Sequence, residues 1–174
     1  DAPDDLIPQF DYIRKSVEAF NLPSIELINY EADDLIATYS EQIIKKGGDV
    51  TIVSSDKDLM QLYKKNIRIY DPMKNKFINE EDIKKKFGVN AEKVIDVQSL
   101  AGDSSDNVPV VPGIGIKTAA ELINEYGNLE NLLSNSKNIK QNKRRETLIE
   151  NKQKAMISKK LVTLKKDVPV KVPY

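Results

Sequence analysis

Three short apolar runs set the tightest limit on the fold. Residues 25–28 (IELI), 50–53 (VTIV) and 67–70 (IRIY) each have strand length and are bounded by polar or turn residues. Between the first two, Leu35, Ile36, Tyr39, Ile43 and Ile44 recur at helical spacing, until Gly47-Gly48 ends the pattern. Before them, Leu6, Phe10, Ile13, Val17 and Phe20 mark one face of an amphipathic helix over 4–20, with Pro8 near its first turn, where proline is tolerated. A short helix over 57–62 leads to the third run, and a turn occupies 71–75. Strand, helix, strand, helix, strand at these lengths predicts an α/β fold, a parallel sheet with crossover helices.

After Asn79 the strand signals stop. Helices are predicted at 80–87, 91–101, 117–126 and 129–133, with a long lysine-rich helix at 141–161. The chain divides into an α/β part (1–79) and a helical part (80–174).

Charge is divided along the same direction. Residues 1–58 carry thirteen acids against five bases, and residues 135–174 carry three acids against twelve bases, although the whole sums to zero. An acidic part joined to a basic part suits a metal-dependent enzyme acting on a polyanion; a solvated lysine-rich tail gives the same count. The absence of histidine and cysteine removes imidazole bases, Ser-His-Asp triads, thiolate sites and disulfides. Chemistry must therefore run on carboxylates, lysines, hydroxyls and backbone. No apolar run is long enough to cross a bilayer as a helix.

Carboxylates cluster at three places: Glu31, Asp33 and Asp34 where the first apolar run meets a helix, Asp56 and Asp58 just after VTIV, and Asp103 and Asp106 within AGDSSDN. Ligand sites of open parallel sheets gather beyond the C-terminal strand ends, where the first two clusters fall. Seven carboxylates brought together repel one another unless cations intervene. A donor set of oxygen alone selects Mg²⁺ or Mn²⁺, and two such ions about 4 Å apart serve phosphodiester hydrolysis. Helix capping and Asx turns are the structural alternatives for each cluster.

Val111-Pro112-Gly113-Ile114-Gly115 reads as a tight turn within a helix-hairpin-helix over 94–126. Gly113 and Gly115 allow positive φ and close backbone approach, while Ile114 and Ile116 are expected to pin the turn to the core. The N–H groups opening the following helix, with Lys117 and Thr118, suit a phosphate oxygen. An ordinary packing corner is the competing reading.

YEADDLIAT (30–38), VSSDKDLMQL (53–62) and LAGDSSDNVPVVPGIGIKTAAEL (100–122) together resemble the 5′-nuclease, or flap-endonuclease, family found at the front of bacterial DNA polymerase I. The resemblance implies a 5′→3′ exonuclease with an α/β sheet and a helix–three-turn–helix DNA clamp, working in the cytoplasm near the nucleoid. It implies that Glu31, Asp33, Asp34 and Asp56 hold or surround one metal, and that Asp58, Asp103 and Asp106 serve a second. It places Gly113, Ile114, Gly115, Lys117 and Thr118 on duplex DNA with a 5′ flap or 5′ end, and a potassium ion at carbonyls near Val111 and Ile114. A polymerase part of the same parent chain is an expected partner. The family's leading strand, which carries an Asp, and its basic arch do not precede Asp1, so the chain is expected to be a fragment with weak or no activity alone. A catalytically silent DNA-binding module and a metal-dependent phosphatase or RNase are the other readings weighed.

Overall fold

Residues 3–170 are described in a computed structural model; Asp1 and Ala2 at the start, and Lys171 at the end of the basic segment, lie outside the described residues. Helix α1 (Gln9–Ala19) follows a turn that contains Pro8. None of its residues is buried, and Phe10 and Ile13 of its apolar side, with Phe20 just beyond its end, are exposed. Helix α2 (Ala32–Lys45) buries Leu35, Ala37, Thr38 and Ser40 on one face and ends before Gly47, which adopts φ 82°.

Among the described residues, the sheet has three strands in the order β1-β2-β3. Strand β1 (Val50–Val53) pairs in parallel with β2 (Ile67–Asp71), with Val50 opposite Ile67 and Val53 opposite Tyr70. Strand β3 (Lys76–Ile78) folds back antiparallel on β2 through the turn after Asp71. That turn is held by the buried Asp71 carboxylate, which accepts from Ser55 Oγ, from the N–H groups of Met73 and Lys74, and from Lys74 Nζ.

The strand expected at 25–28 does not form: the segment has no strand assignment, and Ile28 is 85% exposed. Local apolarity supplies β propensity, but a strand also needs a neighbouring edge to take its hydrogen bonds. The sheet is mixed rather than wholly parallel because β3, too short to show a pattern, closes a hairpin. Within β1 only Ile52 is buried.

A capping box at Asn79 and Asp82 starts α3 (Glu80–Phe87), and Gly88 at φ 74° ends it. A short 3₁₀ turn at Ala91–Lys93 leads into α4 (Val94–Ala101). Val94, Val97 and Leu100 of α4 are fully buried, and α4 packs against both α5 (Ile116–Tyr126) and the helix over Lys152–Val162. Helix α6 (Leu129–Ser134) is capped by Asn128, whose side chain accepts from Asn131 N–H.

The single helix expected over 141–161 is two helices, α7 (Asn142–Glu150) and α8 (Lys152–Val162). Asn151 ends the first and opens the second, and its side-chain amide donates to the Thr147 carbonyl, which offers the backbone a local alternative to a continuous ladder. Lys159 then locks α8 onto α4 and α6, with Nζ 2.7 Å from both Asp96 and Glu130.

Candidate metal centre and adjoining backbone hairpin

The turn from β1 into Asp58–Leu62, a 3₁₀ helix, is built by its own side chains. Ser54 Oγ accepts from Asp56 N–H, and Asp56 Oδ1 accepts from Asp58 N–H at 2.8 Å. This local capping leaves the Asp56 and Asp58 carboxylates at the C-terminal end of the strand. Glu31 and Asp33 reach the same place from the start of α2, Glu31 as its N-cap residue and Asp33 in its first turn, where the helix dipole favours negative charge.

The third pair arrives from the far end of α4. Gly102 (φ 65°) turns the chain out of the helix, and a Cβ there would lie 2.8 Å from backbone atoms of Val108 and Val110, so glycine is required. Asp103 and Val108 exchange backbone hydrogen bonds of 3.1 and 2.7 Å, closing a small loop with Asp106 inside it. Asp103 Oδ1 accepts from Ser105 N–H and Oγ, an Asx turn.

Glu31, Asp33, Asp56, Asp58, Asp103 and Asp106 line one cleft of about 530 Å³, closed on its apolar side by Val108, Leu161, Val162 and Leu164. Carboxylate oxygens of Asp58, Asp103 and Asp106 lie within 4.8 Å of one another. Asp34 stands beside the cleft with its carboxylate turned to α8's exit, where it accepts from Lys165 N–H at 2.8 Å.

The electrostatics follow from this crowding. Burial, then Asp56, Asp58, Glu31 and Asp34, push the Asp33 carboxyl up to about 6. Burial also raises Asp58, against a hydrogen bond from Gln98. Asp103 stays below the usual carboxylate range in spite of its burial, because Lys57 and Ser105 hydrogen-bond to it. That same bond to Asp103 raises Lys57, which also reaches Ser105 Oγ. A donor set of carboxylate oxygens with one ammonium against it fits hard divalent cations: like charges held this close need positive charge between them.

Lys57 and Gln98 are site residues that sequence reasoning passed over. Lys57 stands between two of the acids quoted and was open to notice. Gln98 is a lone amide in a buried helix, and no spacing marks it.

The hairpin lies next to the cleft. A second hollow, of about 430 Å³, runs from Lys57, Gln98 and Asp103 to Gly115 and Ile116. Val111 N–H donates to the Leu100 carbonyl, Ile114 N–H donates to the Val111 carbonyl, and both side chains are buried. Ile116 is 45% exposed, so Ile114 alone of the two isoleucines pins the turn. Gly113 has φ 72°, but Gly115, at φ −89°, does not use the left-handed region. A Cβ at either glycine would meet no atom within 4 Å. Lys117 is exposed and Thr118 half-buried on the first turn of α5.

Two family profiles match the chain end to end: "5'-3' exonuclease, N-terminal resolvase-like domain" over residues 1–88 and "5'-3' exonuclease, C-terminal SAM fold" over residues 89–174. The chain is 56% identical to the DNA polymerase I of Rhizobium leguminosarum over 168 residues, covering 97% of this chain and 16% of that protein. It is 37% identical to a 5'-3' exonuclease of Buchnera aphidicola subsp. Acyrthosiphon pisum over 176 residues, covering 98% of this chain and 62% of the relative. The chain thus spans less than two thirds of the length of either. Among solved structures, the T5 D15 protein co-crystallised with metal ions shares the fold at a TM-score of 0.80 and 23% identity, over 92% of this chain and 63% of that one. The catalytic core of Rad2 in complex with DNA substrate gives a TM-score of 0.52 at 28% identity, over 93% of this chain and 49% of that one.

Proposed function

The chain belongs to the 5′-3′ exonuclease family, and from that premise we propose that it forms the metal- and DNA-binding part of a 5′→3′ exonuclease and flap endonuclease, carried in a longer DNA polymerase I-type protein. The observation that carries this reading is the meeting of six carboxylates from three distant segments in one cleft. Glu31, Asp33 and Asp56 are proposed to hold one Mg²⁺ or Mn²⁺ ion, with Asp34 adding negative charge from outside, and Asp58, Asp103 and Asp106 to hold a second. When bound, such ions supply an activated water and charge stabilisation for phosphodiester hydrolysis.

The chain's own residues do the rest. The carboxylates, preset by backbone capping at Asp56 and Asp103, fix where a phosphodiester meets the cleft. Lys57 provides a cation at the cleft's rim, directed at Asp103 and within reach of a phosphate drawn there. Leu161, Val162 and Leu164 keep one wall apolar, which strengthens the electrostatics inside.

The hairpin is proposed to grip duplex DNA behind the cut. Gly113, Ile114 and Gly115 present bare backbone, and N–H groups at the start of α5 with Lys117 and Thr118 face a phosphate. Support comes from Gly115: nothing within the chain demands glycine there, so open space at that point suits an approaching backbone from outside. A potassium ion at the Val111 and Ile114 carbonyls is part of the same proposal. A cytoplasmic, nucleoid-associated setting follows from the proposed role; among the described residues no helix is long and apolar enough to cross a membrane. Full activity is proposed for a longer protein of the kind this chain's relatives represent.

The test is cleavage of a labelled 5′-flap duplex by the parent protein with Mg²⁺ or Mn²⁺. Short 5′ products that vanish on chelation and with Asp58→Asn are expected. Cleavage that survives both treatments, or no cleavage with either ion, overturns the reading.

A further inference from the structure

Gln98 is a buried amide with one half of its hydrogen-bonding capacity spent and the other half stranded. The residue is 3% exposed in the middle of α4. Nε2 donates to Asp58 Oδ1 at 2.6 Å, a short bond to a carboxylate oxygen. Oε1 is buried with no partner, the only such side-chain atom among the described residues.

An amide in this place is a poor choice for packing alone. A Leu or Met of similar volume would fill the same space without stranding an acceptor. The other buried polar residues of α4 are satisfied: Asp96 pairs with Lys159, and Ser99 Oγ donates to the Ile95 carbonyl. Gln98 also cannot repair its own deficit by rotating the amide. Rotation would set Oε1 against the Asp58 carboxylate oxygen. Asp58 therefore fixes the amide's orientation, and the amide fixes the position of Asp58.

The bond joins the two halves of the cleft. Asp58 stands on the turn after β1, whereas α4 runs through Gly102 directly into the Asp103–Asp106 loop. The Asx turn and backbone pairs at Asp103 set that loop relative to α4. The Gln98 bond sets Asp58 relative to the same helix.

We propose that Gln98 is a positioning residue for the metal centre: it ties Asp58 to α4 at the spacing from Asp103 and Asp106 that a divalent cation requires. The inference rests on the proposed metal-binding role of these three carboxylates. Residues bonded to metal ligands in this way commonly change metal affinity by about 10–100-fold when removed.

The experiment uses the full chain and Mn²⁺ alone as probe, without DNA. Free Mn²⁺ is followed by its electron paramagnetic resonance signal during titration of the parent, Gln98→Met and Gln98→Leu, and each protein's Tm is recorded in EDTA. Both variants are expected to need at least about 10-fold more Mn²⁺ for half-saturation of the Asp58 site, with a Tm in EDTA equal to or above the parent's, since the stranded oxygen is gone. A variant whose Mn²⁺ titration overlays the parent's overturns the positioning role and leaves the metal centre standing. A lowered Tm in EDTA in both variants, without a change in Mn²⁺ binding, assigns Gln98 to packing and also overturns it. A parent that binds no Mn²⁺ overturns the metal centre itself, and this inference with it.

Discussion

Asp58 and Asp103 come from opposite halves of the chain, yet their carboxylate oxygens lie within 4.8 Å of each other. Like charges at that distance destabilise a fold unless a cation offsets them. The pair should therefore behave differently with and without divalent ions. Asp58→Asn is expected to raise Tm in EDTA and to lose most of the Tm gain that Mg²⁺ gives the parent. Flap cleavage by the parent protein should fall about 100-fold or more, as for loss of other preorganised electrostatic groups. Paired thermal melts in EDTA and Mg²⁺ check the first point; a single-turnover cleavage assay checks the second.

Asp33 provides a pH signature. Its folded carboxyl titrates near 6, above the ordinary value of 3.8, so the folded state binds its proton more tightly than the unfolded chain does. Stability from this group is present at low pH and is lost as pH rises from about 4 through 6. Metal-free protein should lose Tm over that window, and Asp33→Asn should flatten the loss. Saturating Mg²⁺ should do the same by stabilising the ionised form. Melts at half-unit pH steps in EDTA, repeated with Mg²⁺, would reveal a Tm that ignores pH if the site is misread.

Asp71 has the opposite sign and lies outside the proposed metal centre. Lys74 first, with Ser55 and the Lys74 N–H, holds its carboxyl down at about 2, despite burial. Its contribution is complete above about 4 and disappears as pH falls toward 2. Asp71→Asn keeps the size but loses the charge, so it should lower Tm at pH 7 while losing less further stability on acidification than the parent does. Mn²⁺ binding should be unchanged. Acid titration monitored by circular dichroism makes the comparison.

Gly113 and Gly115 should separate folding from grip. Gly113→Ala forces a side chain into φ 72° and is expected to cost about 1 kcal/mol of stability. Gly115→Ala places its Cβ in open space at an ordinary φ, so Tm should hold. If DNA backbone approaches there, affinity for duplex should fall by several-fold at constant salt. Fluorescence anisotropy with a duplex, in Ca²⁺ to prevent cleavage, measures it. Unchanged affinity for Gly115→Ala would remove the hairpin from the DNA interface.

The acidic clusters were legible because each is local: a few residues at a strand end, a helix start or a loop. Their convergence in one cleft was predictable for the first two clusters from the position of ligand sites in parallel sheets. The third cluster gave no such cue, and its place depends on α4 packing. The same limit explains what was misread. Residues 25–28 carry the composition of a strand, but pairing is a property of a neighbour that the pattern does not contain. Strand β3 is three residues long, below the length at which alternation can be recognised. The break at Asn151 follows from one side chain bonding back to Thr147, a choice that lysine-rich periodicity on both sides conceals. Gln98 was invisible for another reason: its significance comes from an atom that has no partner.

Helix α4 ends in the loop that bears Asp103 and Asp106, and the hairpin that follows hooks back to it through the Val111-to-Leu100 bond. The Asp103–Asp106 loop and the proposed DNA grip are consequently mounted on one short, mostly buried helix. Any displacement of that helix shifts the two together and preserves the distance from Asp103 and Asp106 to the proposed grip. Evolutionary or engineered changes in cutting position should therefore arise in the surrounding loops, where one end can be adjusted without dragging the other.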